Sequence, residues 1–258
     1  MSNDAQGRKI ELEVEVEGTP EEVWAAVATG PGITSWYVPH TVEEREGGVA
    51  TASFGPGPEM QVPGRVAAWE PPRRIVFDGG EGVGGLAFEW LVEARAGGTC
   101  VVRLINSGFG DGGPWDDQYD ALTNGWRLFL RNLQLHCAHF RGRAGTPLLP
   151  MAMRSGDGPE AWTGLLDALG LPADLTVGQP LRVTADGAPP LAGTVVSAGP
   201  RYLAVLLDQP HPGTGLIAAE QHGPVTGVSV WAYLYGDGAA AYAETNEPRW
   251  RAWLEAGA

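Results

Sequence analysis

The 258-residue chain is poor in thiols, with only Cys100 and Cys137, and has no apolar run near the ~20 residues of a transmembrane helix. Both cysteines fall in segments patterned as core, so a disulfide framework is disfavoured. Two buried free thiols in a reducing cytoplasm are expected instead. Positive charge is scarce as well: 17 Lys and Arg stand against 31 Asp and Glu, a formal net charge of −14. That balance opposes both a nucleic-acid backbone and an anionic lipid surface as partners. The opening stretch, MSNDAQGRKI, lacks the apolar core of a signal peptide, and residues 1–7 read as a disordered tail.

Catalytic signatures are missing too. The chain contains no P-loop, no strand-linked GxGxxG, no HExxH, no CxxC and no GxSxG. No catalytic residue, cofactor or metal is therefore assigned. His136 and His139 lie three apart on one helix, yet no acidic or cysteine ligand joins them at helical spacing, so they read as surface or edge histidines. His40, His211 and His222 pair with no visible nucleophile.

Glycine is abundant, 38 of 258 residues, about twice the usual share of ~7%. It is spread without a strict period, which suits a loop-rich β protein. Residues 9–17, KIELEVEVE, alternate apolar and acidic positions as a half-buried strand does. Thr19, Pro20 and Glu22 then form a helix start with a capping box, and Gly30 and Pro31 end that helix. A short second helix is expected over Ile33–Tyr37. Six strands follow, near 41–46, 49–54, 62–69, 73–78, 85–94 and 99–106. In the fifth, Leu86, Phe88, Trp90 and Val92 share a face. Arg103 falls out of phase with Val102 and Leu104, and so faces outward.

The clearest periodicity lies in residues 114–140. Trp115, Tyr119, Leu122, Trp126, Phe129, Leu133, Cys137 and Phe140 recur every three or four residues, one apolar stripe on a long helix. An Asn124–Gly125 pair interrupts it, and Gly125 is expected to mark a close approach or a kink beside Trp126. One long helix against a curved antiparallel sheet is an α+β arrangement with room for a cavity on the concave side.

The second half repeats the first in shortened form. GPEAWTGLLDALG follows TPEEVWAAVATG, and AGTVVSAGPRYLAVL follows PGRVAAWEPPRRIVF. TNEPRWRAWLEA follows TNGWRLFLRNLQ, with Pro248 starting a short helix. The division expected is a complete unit over 8–142, a linker over 143–158, and a truncated unit over 159–258 that lacks the first strand. The aromatic face of its last strand, Trp231, Tyr233 and Tyr235, needs covering by the first unit or by a second copy, a homodimer through the second unit.

The ordered set TPEEVWAAVATGPGITSWYVP, PGRVAAWEPPRRIVF, FEWLVE, NSGFG and WDDQYDALTNGWRLFLRNL resembles the SRPBCC, or START-like, helix-grip superfamily. It is most similar to two-copy actinobacterial proteins of the branch named after activators of the heat-shock-protein-90 ATPase. The resemblance implies a hydrophobic cavity between sheet and long helix. Members bind lipids, hormones or polyketides, and some are aromatases or cyclases. One group, found in enediyne antibiotic clusters of the dynemicin and calicheamicin type, protects its host by self-sacrifice: a drug diradical takes a glycine hydrogen and the backbone is cleaved.

Three readings thus stand side by side: a binder of a polyketide or enediyne, a cyclase-like tailoring enzyme, and a chaperone-interacting module. For the first, the candidate cavity residues are Trp36, Tyr37, Phe54, Trp90, Phe109, Trp115, Tyr119, Trp126 and Phe129, since flat side chains suit flat ligands. Core packing is the competing role for the same rings. The glycines the resemblance points to are Gly108, Gly110 and Gly112 in SGFGDGG, which also read as turn chemistry.

Overall fold

A computed structural model describes residues 8–79, 85–109 and 113–257, so the expected tail over 1–7 lies outside the described residues. The chain divides into two compact units, Met1–Gly142 and Arg143–Ala258.

In the first unit, β1 (Ile10–Glu17) buries Ile10 and Val16 and exposes its glutamates, as the alternation requires. α1 (Pro20–Ala28) begins with a capping box. The Glu22 amide donates to Thr19 Oγ1 at 3.3 Å, and the Thr19 amide donates to Glu22 Oε2 at 2.9 Å. α2 (Gly30–Thr34) starts earlier than the expected Ile33, because Thr29 Oγ1 accepts from the Gly32 amide at 3.1 Å and supplies a cap there. Six strands follow: β2 (His40–Val42), β3 (Val49–Ser53), β4 (Gln61–Glu70), β5 (Arg74–Asp78), β6 (Ala87–Arg95) and β7 (Thr99–Ser107). The sheet order is β1-β7-β6-β5-β4-β3-β2, antiparallel throughout.

α3 (Gly113–His139) closes this unit, a single helix of 27 residues. Its Trp126, Leu130, Leu133 and Cys137 pack with Trp90, Val92, Val102 and Leu104 of the sheet in one core. This is the helix-grip arrangement. The helix continues through the Asn124–Gly125 pair, where Asn124 is exposed and Gly125 half-buried. Intrinsic cost of a glycine, about 1 kcal/mol, is small against the burial of the neighbouring stripe.

The second unit departs from expectation in two places. First, the segment read as a linker contains β8 (Thr146–Leu148) and β9 (Met151–Ser155). After α4 (Gly158–Leu169) come β10 (Pro180–Arg182), β11 (Ala192–Gly199), β12 (Tyr202–Gln209), β13 (Gly213–His222) and β14 (Val225–Leu234). The order is β10-β11-β12-β13-β14-β8, with β9 also paired to β14. β8 and β9 occupy beside the last strand the place that β1 takes in the first unit. The first strand was therefore not lost. Pro147 and Pro150 obscured it, because proline suggests a linker, yet an edge position needs no ladder donor from them.

Second, α5 (Ala239–Glu255) is a 17-residue helix with Pro248 inside it rather than at its start. Ala239, Ala243, Asn246, Trp250 and Leu254 form its buried face, and two small alanines gave little hydrophobic signal before the proline. Tyr233 and Tyr235 are buried within the single chain, and Trp231 is half-buried. The expectation was that the first unit or a second copy would cover this face. Among the described residues no helix is long and apolar enough to cross a membrane.

Candidate functional site

Between the sheet and α3 of the first unit lies a cluster of aromatic rings. Trp36 and Tyr37 leave α2 in a turn that is fastened on two sides. Trp36 Nε1 donates to the Ala26 carbonyl at 2.8 Å, and Asn132 Nδ2 on α3 donates to the Trp36 carbonyl at 2.8 Å. Trp36 meets Trp90 edge-on at 5.6 Å, and Trp90 meets Trp126 edge-on at 5.5 Å. Trp126 also touches Tyr37 at 4.9 Å and Phe88 at 5.6 Å, and Tyr37 meets Phe129 at 4.5 Å. The edge-to-face geometry is the one favoured by ring quadrupoles.

Six of the nine expected wall residues are thus brought together: Trp36, Tyr37, Phe54, Trp90, Trp126 and Phe129. They were expected to face a cavity. Each of them lies in ring contact with another of the set, with Tyr37 and Trp126 at the centre of those contacts. The cluster is graded from inside to outside. Trp36, Trp90 and Trp126 are 1%, 4% and 4% exposed, whereas Phe54, 6.3 Å from Tyr37, is 46% exposed. Met60 and Val62 join Phe54 as exposed apolar side chains, so the outer end of the cluster opens to solvent through a hydrophobic rim.

Phe109 and Tyr119 belong elsewhere. They form a separate edge-to-face pair at 5.2 Å, with the Arg8 guanidinium 3.9 Å from the Tyr119 ring centre and the Tyr119 hydroxyl donating to the Lys9 carbonyl at 3.0 Å. Tyr119 is half-buried on α3, about two turns away from Trp126. The Trp115 side chain, Gly110 and Gly112 lie outside the described residues. Gly108 is described: its φ is +91°, and a Cβ there would stand 2.2 Å from the Gly85 carbonyl oxygen. Backbone meets backbone at this point, and only glycine fits.

The sequence reading passed over four residues of the site. Phe88 was already on the face of Trp90, and its alternation was the signal. His40 stacks obliquely on Tyr37 at 5.6 Å. Its Nδ1 lies 2.7 Å from the Val38 carbonyl oxygen, which can only accept, so Nδ1 carries the proton and Nε2 is left as the acceptor. Burial pushes the His40 pKa below its usual value, with the Val38 bond opposing part of that shift. Asn106 and Asn132 are the other two, both fully buried and in phase with apolar neighbours.

Charge is kept at the outer face of the sheet. Arg103 lies 3.4 Å from Glu13 and 3.9 Å from Glu11, as its outward phase implied. Arg65 makes two bonds of 3.1 Å to Asp78, and Arg74 bonds Glu70 and Glu89. His136 corrects the surface reading: it is 3% exposed, and burial lowers its pKa to about 4. Cys100 and Cys137 are free and buried, and burial raises the Cys137 thiol to about 12. Among the described residues no three His, Cys, Asp or Glu side chains gather at one point. The corresponding region of the second unit is mostly aliphatic, a notch lined by Leu148, Val230, Leu234 and Trp250 among others.

Residues 7–134 match the model of a family described as polyketide cyclase / dehydrase and lipid transport. No curated protein matches the chain. Among solved structures it is similar to the di-domain ARO/CYC BexL from the BE-7585A biosynthetic pathway, at 16% identity over 97% of this chain and 98% of that one, with a TM-score of 0.46. DynU16, from the dynemicin biosynthetic locus, aligns at 18% identity over 97% and 95%, TM-score 0.44. CalU16 from Micromonospora echinospora aligns at 21% identity over 49% and 72%, TM-score 0.39.

Proposed function

The first unit belongs to the polyketide cyclase / dehydrase and lipid transport family, and from that premise we propose that it binds a hydrophobic, polycyclic small molecule between its sheet and α3, in the cytoplasm. The observation that carries this reading is the ring cluster itself. A dense set of edge-to-face aromatics, buried at Trp36, Trp90 and Trp126, opens at Phe54 onto an apolar rim. Flat rings exchange one another for a flat ligand at little cost in contact area. Tryptophan emission measured against added polycyclic ketones tests the reading. Saturable quenching in the wild-type protein, weakened in Trp126→Leu, is the expected result; linear, non-saturating quenching in both would sink it.

A more specific form is self-sacrificing resistance to an enediyne. The ligand diradical takes a hydrogen atom from a glycine Cα, a C–H bond forms on the ligand, and the glycyl radical left on the chain reacts with dioxygen and is cleaved. Gly108, with its backbone pressed against Gly85, is the described candidate, and the resemblance extends this to Gly110 and Gly112. Such a reaction needs proximity and neither an acid nor a base. Mass spectrometry after exposure to an activated enediyne is expected to show two discrete fragments, and an intact chain under conditions that cleave a known resistance protein would refute it.

A cyclase-like reading is favoured by one observation, the His40 tautomer. An unprotonated Nε2 beside Tyr37 is equipped to take a proton from an acidic polyketide methylene. His40→Gln would then abolish turnover of a polyketone substrate while leaving its binding unchanged.

A further inference from the structure

Two buried polar atoms near Phe88 have no protein hydrogen-bond partner among the described residues, and they differ in kind. Trp126 Nε1 is a donor only, on a side chain 4% exposed. Asn106 Oδ1 is an acceptor, on a side chain fully buried. Its assignment is secure, because the other end of the same amide, Nδ2, donates to the Ala87 carbonyl at 3.1 Å, and a carbonyl cannot receive an oxygen.

Both atoms belong to the concave side of the first unit. On β7, Cys100, Val102, Leu104 and Asn106 are the buried positions of a strict alternation, so Asn106 shares the face of the core residues that meet α3. Phe88 is the common neighbour. It is the cross-strand partner of Asn106, and its ring lies 5.6 Å from that of Trp126. Asn132 Oδ1 on α3 is likewise unpaired, and each such group calls for an explanation, since an unmade buried hydrogen bond costs more than a made one returns.

We propose that these two atoms are the polar anchors of the ligand site, and that the ligand is therefore an oxygenated polycycle, a hydroxyquinone or a phenolic polyketone. A ring carbonyl accepts from Trp126 Nε1 and a ring hydroxyl donates to Asn106 Oδ1. This rests on the binding role assigned above to the aromatic cluster and adds the polar pattern that selects among flat ligands. A bare hydrocarbon of the same size leaves both atoms unpaired. A quinone satisfies one, and a hydroxyquinone both.

Three probes separate these cases: anthracene, anthraquinone and 2-hydroxyanthraquinone, each titrated against the full chain by tryptophan quenching. Trp126→Phe keeps a ring and removes the donor; Asn106→Leu keeps the bulk and removes the acceptor. The expected result is that Trp126→Phe weakens both quinones about tenfold, the worth of one hydrogen bond, and leaves anthracene within about twofold. Asn106→Leu weakens only 2-hydroxyanthraquinone. Because each variant is compared across ligands, a general loss of stability cancels. Parallel changes for all three probes, or no change for any, overturn the proposal while leaving a nonpolar binding site intact. Failure of the wild-type protein to bind any of the three overturns the binding role, and this proposal with it.

Discussion

His136 makes a pH-dependent contribution to stability whose sign and size follow from its burial. It sits on α3 with 3% of its surface exposed, and desolvation holds its pKa at about 4 instead of 6.5. In the unfolded chain the imidazole binds its proton readily; in the folded chain it resists. Between these two values the unfolded state therefore binds more protons, and stability rises with pH. The folded state keeps its full advantage above about pH 6.5 and loses it as pH falls toward 4. The depressed value corresponds to about 3 kcal/mol over the whole window, of which about 2 kcal/mol is gone by about pH 5.

Urea unfolding of the full chain, followed by far-UV ellipticity at about pH 8 and about pH 5, measures this. Carboxylates elsewhere also titrate, so the decisive quantity is the difference between wild type and His136→Gln, which stays neutral at both pH values. The wild-type protein should lose about 2 kcal/mol more than the variant on acidification. Equal losses in the two proteins would show that the His136 imidazole is not held neutral by its surroundings, and the reasoning from burial would be wrong.

Leu148, 2% exposed on β8, tests whether the 146–155 segment is part of the second core: Leu148→Ala should cost about 2–4 kcal/mol in the same urea assay, whereas a linker side chain would cost under about 0.5. The Cys137 thiol, pushed up to about 12, should resist a thiol-specific disulfide reagent in the folded protein near neutral pH and react once urea unfolds it; prompt labelling of the native chain would contradict its burial. Trp36→Phe removes the indole donor from the Ala26 carbonyl and should lower stability by about 2–3 kcal/mol, and a change below about 0.5 would show that this bond does not hold α2 in place. Thr19→Ala breaks the capping box and should cost about 1 kcal/mol, while Thr19→Ser should restore most of it.

Much of the first unit was legible because its signals are local. The alternation of β1, the Thr19–Glu22 box and the stripe on α3 each depend on residues within a turn or two, and backbone geometry converts those patterns directly into strand, cap and helix. The aromatic inventory of the grip was legible for the same reason, since Trp90 and Trp126 lie on core-facing phases. The second unit was harder. Pro147 and Pro150 carry a local signal for a linker, and what makes β8 and β9 strands is pairing with β14, some 80 residues later.

By itself, then, the sequence determined which faces are apolar, where α1 and α3 begin and end, and that an aromatic-rich helix must lie on an antiparallel sheet. Tertiary structure alone decided how the rings use the enclosed space. Trp36 reaches Trp90 only because the turn after α2 is tied to α1 and α3, and Asn106 stands behind Phe88 only through the register of β6 and β7. Periodicity fixes the face on which a side chain emerges. Which ring it then meets, and which polar atom is left without a partner, depends on contacts between segments far apart in the chain, and no local pattern encodes those.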